Sequence, residues 1–468
     1  MKAGRLYRKV LAVFLTVIML TVALMPFVSA ESEQKKESPK KAVFSIDAGR
    51  KYFSKGELER LIQKAGDLGY TDFQLILGND GLRFFLDDMT VETGYGKYSS
   101  GQVKNAISEG NSKYYDDPEG NYLTESEMNE IMAYAMKKGI KIIPLINSPG
   151  HMDAILYGME KLGIEKPAYP GSVRTVDLSN KAAVDFTRTL INKYMTYFSG
   201  KSEIFNLGCD EYANDLDNGG WSKLQDTGKY KDFVKYVNAL SGDVKDHGME
   251  PMCFNDGIYY GKQDRFGKFD KEIIISYWNA GWLGYNPAPA SYLSEKGHRI
   301  LNTNHKWYWV IGNFRKKEHG NPYTYWKAVL GANFVNFNSV PGGGKVPTIG
   351  SMQCVWCDYP ENGYDPGLVN ELMDLFAKKN SAYMKNGETE KPGIKKIFSG
   401  IYEKIKKRIE KIGSTEATIV KYSAGNEVTA DTGAVKKRSG TKNPVLWTWV
   451  IAGALIIFVI VRNNFKKE

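Results

Sequence analysis

Histidine and cysteine are scarce in this chain, 5 and 4 of 468 residues. No cluster of His with Asp at chelating spacing is visible, so metal-assisted deacetylation finds no ligand set. Cys209, Cys253, Cys354 and Cys357 each fall in an apolar run of strand character. Cys354 and Cys357, three apart in a strand, would point to opposite faces rather than into a chelating loop. All four therefore read as small buried fillers and not as a redox or metal set. Neither extreme of composition applies. Charged residues make up 25% and aromatics 13%, which describes a globular body with enough rings to form stacking surfaces.

Long apolar runs are confined to the two ends. Residues 1–30 combine a basic start (Lys2, Arg5, Arg8, Lys9), an apolar run from Val10 to Met25 and a small-residue site at Val28-Ser29-Ala30, the pattern of a cleaved signal peptide. An uncleaved anchor is the alternative. Residues 445–461, VLWTWVIAGALIIFVIV, carry no charge and are just long enough to cross a bilayer. The basic tail at 462–468 then stays on the cytoplasmic side, and everything between the two apolar runs lies outside the membrane.

The net charge of +10 would favour an acidic partner if it sat on the body of the protein, but much of the excess lies elsewhere. Within 386–412, Ile394, Ile397, Phe398, Ile401, Ile405, Ile409 and Ile412 form one helical stripe, and Lys395, Lys396, Lys404, Lys406, Lys407, Arg408 and Lys411 fill the other faces. This is a basic amphipathic helix, suited to an anionic lipid surface or to packing on the body. Nucleic acid is not an expected partner. Residues 413–444 turn rich in Ser, Thr, Gly and Lys and read as a flexible stem.

Between 41 and 385 the chain alternates apolar β-type runs with helical patterns, the signature of parallel βαβ units. Eight runs stand out: AVFSIDAG from Ala42, DFQLIL from Asp72, IKIIPLIN from Ile140, EIFNLG from Glu203, MEPMCFND from Met249, EIIISYW from Glu272, HRILNTN from His298 and SMQCVWCD from Ser351. Eight strands close a barrel, so the fold class is α/β, a (β/α)8 TIM barrel. Helical patterns fill most gaps, and the one opening at Thr124-Glu125-Ser126-Glu127 carries a capping box. The gaps after the fifth and seventh runs are poorly helical. Residues 78–122, rich in Gly, Tyr and Asp, read as a loop over the barrel mouth.

Barrel chemistry sits at the carboxyl ends of the strands. Read in order, those ends offer Asp47 and Arg50; Asn79-Asp80; Asn147 through His151; Asp210-Glu211; Asn255-Asp256; Trp278; Trp307-Tyr308; and Trp356 with Asp358. Aromatic walls with a few carboxylates suit a sugar, whose ring has apolar C–H faces and whose hydroxyls need acceptors. Asp210 and Glu211 are the centre. A neighbouring carboxylate helps raise a general acid's pKa, yet adjacent residues do not easily flank a glycosidic bond from both sides. That departs from the two-carboxylate scheme and points to assistance by the substrate.

At these motifs the chain resembles glycoside hydrolase family 20, the β-N-acetylhexosaminidases, and especially the catalytic modules of Gram-positive surface hexosaminidases. IDAGRKYF, LGNDGLRFFLDD, INSPGHMDA, NLGCDEYAND, FNDGIYY, ISYWNAGW, NTNHKWYW and QCVWCD carry the likeness. It implies Glu211 as general acid/base, Asp210 orienting the 2-acetamido group, and Tyr308 donating to the acetamido oxygen. Arg50, Asp80, His151, Asn255, Asp256, Trp278, Trp307, Trp356 and Asp358 become substrate-binding candidates, Asp358 through O4 or O6, with His151 and Asp153 as the supporting PGH segment. Three positions depart from the family: Phe254-Asn255-Asp256 stands where Trp-x-Glu is usual, Tyr308-Trp309-Val310 where Tyr-Leu-Asp is usual, and Asp358 where Glu is more usual. The expected activity is an exo-acting, retaining hydrolysis of terminal β-linked GlcNAc or GalNAc through an oxazolinium intermediate, without metal or organic cofactor. A barrel that binds glycans without cleaving them, and a lacto-N-biosidase-type release of disaccharides, are the alternatives.

Overall fold

The computed structural model describes residues 40–115, 121–216, 220–281, 284–312, 323–361 and 363–385, all in the first of two units into which the chain divides, residues 1–390. The export segment at 1–30, the amphipathic helix at 386–412, the stem, the apolar run at 445–461 and the tail lie outside the described residues. Among the described residues no helix is long and apolar enough to cross a membrane.

Eight parallel strands form a closed barrel: β1 (Lys41–Asp47), β2 (Asp72–Asn79), β3 (Lys141–Ser148), β4 (Ile204–Gly208), β5 (Glu250–Phe254), β6 (Ile274–Tyr277), β7 (Ile300–Asn302) and β8 (Thr348–Trp356). Each pairs with its neighbour in sequence, and β8 and β2 both pair with β1 to shut the ring. Side chains alternate across each strand. On β1, Ala42, Phe44 and Ile46 join the layer between strands and helices, while Val43 belongs to the barrel interior with Ile76, Ile143, Leu145, Ile274 and Met352. Both faces are buried, so the strands read as continuous apolar runs. Among the apolar filling, Gln74 donates to Ser45 Oγ (2.9 Å) and Asn206 donates to Gln74 Oε1 (2.7 Å). These buried amides satisfy one another within the barrel.

Around the barrel lie α1 (Lys55–Leu68), α2 (Ser100–Tyr115), α3 (Glu125–Lys137), α4 (Asp153–Lys161), α5 (Lys181–Phe198), α6 (Trp221–Asp226), α7 (Tyr230–Asp246), α8 (Ala290–Glu295), α9 (Tyr325–Phe334) and α10 (Pro366–Lys379). The predicted box at Thr124 and Glu127 caps α3, and Ser54 with Glu57 forms another on α1. Three expectations need correction. Residues 78–122 are not a plain loop: they hold a short strand on β2 (Gly81–Leu82), a hairpin (Val91–Thr93, Gly96–Tyr98) and α2. Helix α2 backs closely onto α4, where a Cβ on Gly110 would lie 2.4 Å from the Ala154 carbonyl oxygen. The gap after β7 contains α9, although the gap after β5 has only the 3-10 turn Tyr260–Lys262. Cys209 and Cys357 stand one residue past β4 and β8, outside the strands; all four cysteines are free and buried.

Candidate active site

A cavity opens at the carboxyl ends of the strands. The ends of β1 to β4 supply its charged side. Arg50, in the turn after β1, donates from Nε to Asp80 Oδ2 (2.7 Å) and from Nη1 to Asp47 Oδ2 (3.0 Å) and Asp358 Oδ1 (3.2 Å). The guanidinium thus spans three carboxylates drawn from β1, β2 and β8. His151, past β3, meets Asp80 Oδ1 through Nδ1 at 2.7 Å and turns Nε2 toward Glu211 Oε2 (3.4 Å) and Asp210 Oδ2 (3.8 Å). Asn147 donates to Asp210 Oδ1 (2.7 Å), and Asn214 donates to Glu211 Oε2 (2.5 Å).

The backbone that presents these groups is bent into the left-handed region. Asp80, His151, Cys209, Glu211 and Ala213 all have φ between 49° and 64°, a conformation that costs a side-chain-bearing residue about 1–3 kcal/mol. Local bonds hold the strain. Asp80 N–H donates to the His151 carbonyl (2.6 Å), and the Asp80 carbonyl accepts from Ala154 (2.8 Å). At the end of β4, Gly208 has φ 71°, and a Cβ there would fall 2.0 Å from Asn147 Oδ1. Only glycine lets Asn147 reach in to accept from Cys209 N–H (3.1 Å) and support Asp210.

These contacts set the protonation states. Burial alone would lower His151, but the Asp80 and Asp210 carboxylates overcome it and hold the imidazole well above its ordinary value. Asp80 shows the converse: burial opposes its charge, yet Arg50 and His151 keep it well below the usual range. Burial raises Asp210 against the pull of His151, with Glu211 adding to the rise. Glu211 is lowered, because the bond and charge of His151, with Arg50 and Asn214, outweigh its desolvation. The resting pair is therefore a protonated His151 beside an ionised Glu211.

The ends of β5 to β8 supply the aromatic side. Trp278 and Tyr308 stack at 6.2 Å with 20° between planes, and Trp356 meets Tyr308 edge-on at 5.5 Å. Phe254, the inward residue at the end of β5, tilts against Trp356 at 6.0 Å, and Tyr323 closes on Tyr308 at 5.6 Å. Inside this box Tyr308 Oη has only the weakly accepting Cys354 thiol beside it, and Trp356 Nε1 has no protein acceptor. Buried donors without a strong acceptor cost about 1–3 kcal/mol each, and these two sit where a bound ligand would supply one.

Of the candidates, Arg50, His151, Asp210, Glu211, Trp278, Tyr308, Trp356 and Asp358 line the cavity together. Four do not. Asp80 lies beneath it, holding Arg50 and His151. Asn255 accepts from the backbone of Trp278 (2.8 Å) and Asn279 (3.1 Å), and Asp256 accepts from the Glu211 backbone and two indoles. Trp307 is wholly buried on the outer side, edge-on to Phe376 of α10. The cavity also recruits Asn79, Phe254, Val310 and Tyr323. Alternation along β5 could have pointed to Phe254, whereas no strand-end pattern flags Tyr323. Among the described residues no group of three or more His, Cys, Asp or Glu could hold a metal ion.

A structure of the tandem family 20 modules of the pneumococcal exo-β-D-N-acetylglucosaminidase StrH aligns at 47% identity and a TM-score of 0.71, covering 74% of this chain and 84% of that one. Dispersin B shares the fold at 18% identity and a TM-score of 0.52, over 73% of this chain and 98% of its own. Among curated proteins, lacto-N-biosidase of Bifidobacterium bifidum is 28% identical over 197 residues, 40% of this chain and 17% of the relative. β-Hexosaminidase subunit A1 of Dictyostelium discoideum is 24% identical over 247 residues, 51% of this chain and 41% of the relative. The chain thus spans less than half the length of these curated relatives. The catalytic-domain profile of glycosyl hydrolase family 20 matches residues 43–363, and the chain belongs to that family.

Proposed function

We propose that this chain is an exo-acting, retaining β-N-acetylhexosaminidase in which the substrate's own acetamide is the nucleophile. The observation that carries this reading is the pairing of a carboxylate couple, Asp210 and Glu211, with an aromatic box whose buried Tyr308 hydroxyl meets only the weakly accepting Cys354 thiol. A 2-acetamido group placed between Trp278 and Trp356 would give Tyr308 its acceptor and Asp210 an N–H donor. So held, the acetamide oxygen attacks the anomeric carbon while the glycosidic oxygen takes a proton from Glu211, leaving an oxazolinium ion. Water then attacks the anomeric carbon with Glu211 as base, and configuration is retained. His151 Nε2, 3.4 Å from Glu211, holds the proton that Glu211 needs once substrate strips water from its carboxylate. Arg50 and Asp358, bridged at 3.2 Å, bind ring hydroxyls at the far side of the sugar.

The StrH modules are described as an exo-β-D-N-acetylglucosaminidase, which favours GlcNAc over GalNAc as the terminal sugar here. The similarity to a lacto-N-biosidase keeps disaccharide release as the second reading, and product size separates the two. The terminal segments support an exported enzyme held at the outer face of the membrane by residues 445–461.

Hydrolysis of p-nitrophenyl β-GlcNAc and β-GalNAc by wild type, Glu211→Gln and Asp210→Asn tests the proposal. The expected result is turnover by wild type and losses on the order of 10²- to 10⁴-fold in each variant, the range general acid–base groups contribute. Full activity in Glu211→Gln would remove Glu211 as the acid.

A further inference from the structure

Asp256 is wholly buried and outside the cavity, yet it touches both halves of the site. Its Oδ2 accepts from Glu211 N–H at 2.7 Å and from Trp221 Nε1–H at 3.2 Å; its Oδ1 accepts from Trp278 Nε1–H at 3.1 Å. Glu211 stands just past β4, and Trp221 is the first residue of α6, so the two flank the segment that joins them. That segment carries the left-handed residues Glu211 (φ 49°) and Ala213 (φ 50°), whose strain persists only where surrounding contacts over-determine it. One oxygen therefore staples both ends of the segment bearing the acid. The other oxygen fixes the rotation of the indole that walls the sugar pocket.

The surroundings are built to keep the staple in place. Trp221 packs on Gly257, where a Cβ would lie 2.2 Å from the indole ring, and meets Phe233 at 4.7 Å. Gly220 admits Tyr212 at a distance no Cβ would tolerate and donates to the Tyr212 carbonyl at 2.8 Å, closing the loop at its neck. On the other side, Asn255 Oδ1 holds the Trp278 backbone while Asp256 holds its side chain. Phe254-Asn255-Asp256 thus acts as a unit: the first residue lines the cavity, and the next two set the geometry of Trp278 and Glu211.

We propose that Asp256 is a positioning residue that couples the placement of the acid Glu211 to that of the pocket wall Trp278; the proposal rests on the hexosaminidase reading. Burial and the Asp210 and Glu211 charges push Asp256 up to about 8, yet three N–H groups converge on its two oxygens and engage both as acceptors. The amide of an Asp256→Asn variant has one acceptor oxygen and one donor NH2. Either orientation sets a donor against a donor, and either the acid loop or the indole wall comes loose.

The test separates an effect on the acid from a general loss of structure. Phenyl β-GlcNAc has a poor leaving group that needs Glu211's proton, whereas 2,4-dinitrophenyl β-GlcNAc needs little. Wild type, Asp256→Asn and Trp221→Phe are assayed on both, with thermal melts in parallel. Asp256→Asn should lose on the order of 10²-fold in kcat on the phenyl glycoside, the cost of a displacement of about 1 Å, and clearly less on the dinitrophenyl glycoside. Its KM should rise on both, because the Trp278 wall moves. Trp221→Phe, which removes one donor and keeps a ring, should show the selective kcat loss in milder form with KM unchanged. Equal losses on the two substrates, or wild-type kcat on both, overturn the proposal. Should Asp256→Asn fail to fold, Trp221→Phe decides by the same criterion. A wild type that cleaves neither glycoside overturns the hexosaminidase reading itself.

Discussion

The two halves of the cavity are finished to different degrees. At the ends of β1 to β4, the Arg50, Asp80 and His151 side chains are already engaged: Arg50 on three carboxylates, Asp80 on Arg50 and His151, His151 on Asp80 and Glu211. At the ends of β5 to β8, the walls are well packed but the Trp356 indole N–H meets no protein acceptor and the Tyr308 hydroxyl only the weak Cys354 thiol. Charges left unpaired in a buried site would be too costly, so the ionic half must be complete before substrate arrives. Neutral donors cost far less to leave open, and the aromatic half is where a ligand completes the structure. Proton chemistry is preorganised on one side, and recognition is stored as unmet hydrogen bonding on the other.

This contrast predicts opposite stability effects for substitutions in the two halves. Of the substitutions that probe this contrast, Tyr308→Phe should cost the most activity, since the proposed mechanism aims this donor at the acetamide; kcat on p-nitrophenyl β-GlcNAc should fall by about 10²- to 10³-fold. Because the hydroxyl meets only the weakly accepting Cys354 thiol, the Tm should stay level or rise. A fall in Tm would show that the hydroxyl is satisfied and the two halves are alike. Next comes His151→Gln, expected to cost about 10²-fold in kcat/KM, the low end of proton-transfer contributions.

The His151 variant should also lose stability in a defined pH window. The raised His151 contributes fully below its unfolded value of about 6.5 and fades as pH rises through its folded value. The lowered Asp80 contributes fully above its unfolded value of about 3.9 and fades as pH falls through its folded value. The Tm gap between wild type and His151→Gln should therefore be widest from about pH 4 to about pH 6.5 and narrow in alkali. A gap that is constant with pH would mean His151 is neutral in the fold. The smallest effect is expected from Trp307→Phe, outside both halves: unchanged kcat and KM, with about 1 kcal/mol lost in a urea melt. A raised KM would place Trp307 in the site after all.

Much of this was legible in the chain. The apolar runs of β1 to β8, and the capping signal on α3, come from local rules of alternation and capping. The polar strand ends follow from the barrel's own logic. Helix α9 was not legible, because YWKAVLGANF is apolar around most of its circumference and shows little helical contrast; Trp326 and Phe334 indeed stand exposed. Nor could Trp307 be told from Tyr308. They follow β7 in a 3-10 turn, where strand alternation no longer predicts direction, and adjacent side chains go to opposite sides of the wall. Tyr323 belongs to no strand end and reaches the cavity only through the path of the chain before α9.

The protonation pattern was out of reach for a similar reason. The adjacency of Asp210 and Glu211 forecast a raised acid, and the fold instead raised Asp210 and lowered Glu211, because His151 from another strand approaches Glu211 more closely.

The chain by itself determined the barrel and the inventory of groups at its mouth, since both follow from periodicity, and periodicity is local. Tertiary structure decided which groups face the cavity, which brace it from behind and which carry a proton. Those outcomes depend on distances of a few ångströms between residues far apart in the chain, and neither spacing nor composition encodes them.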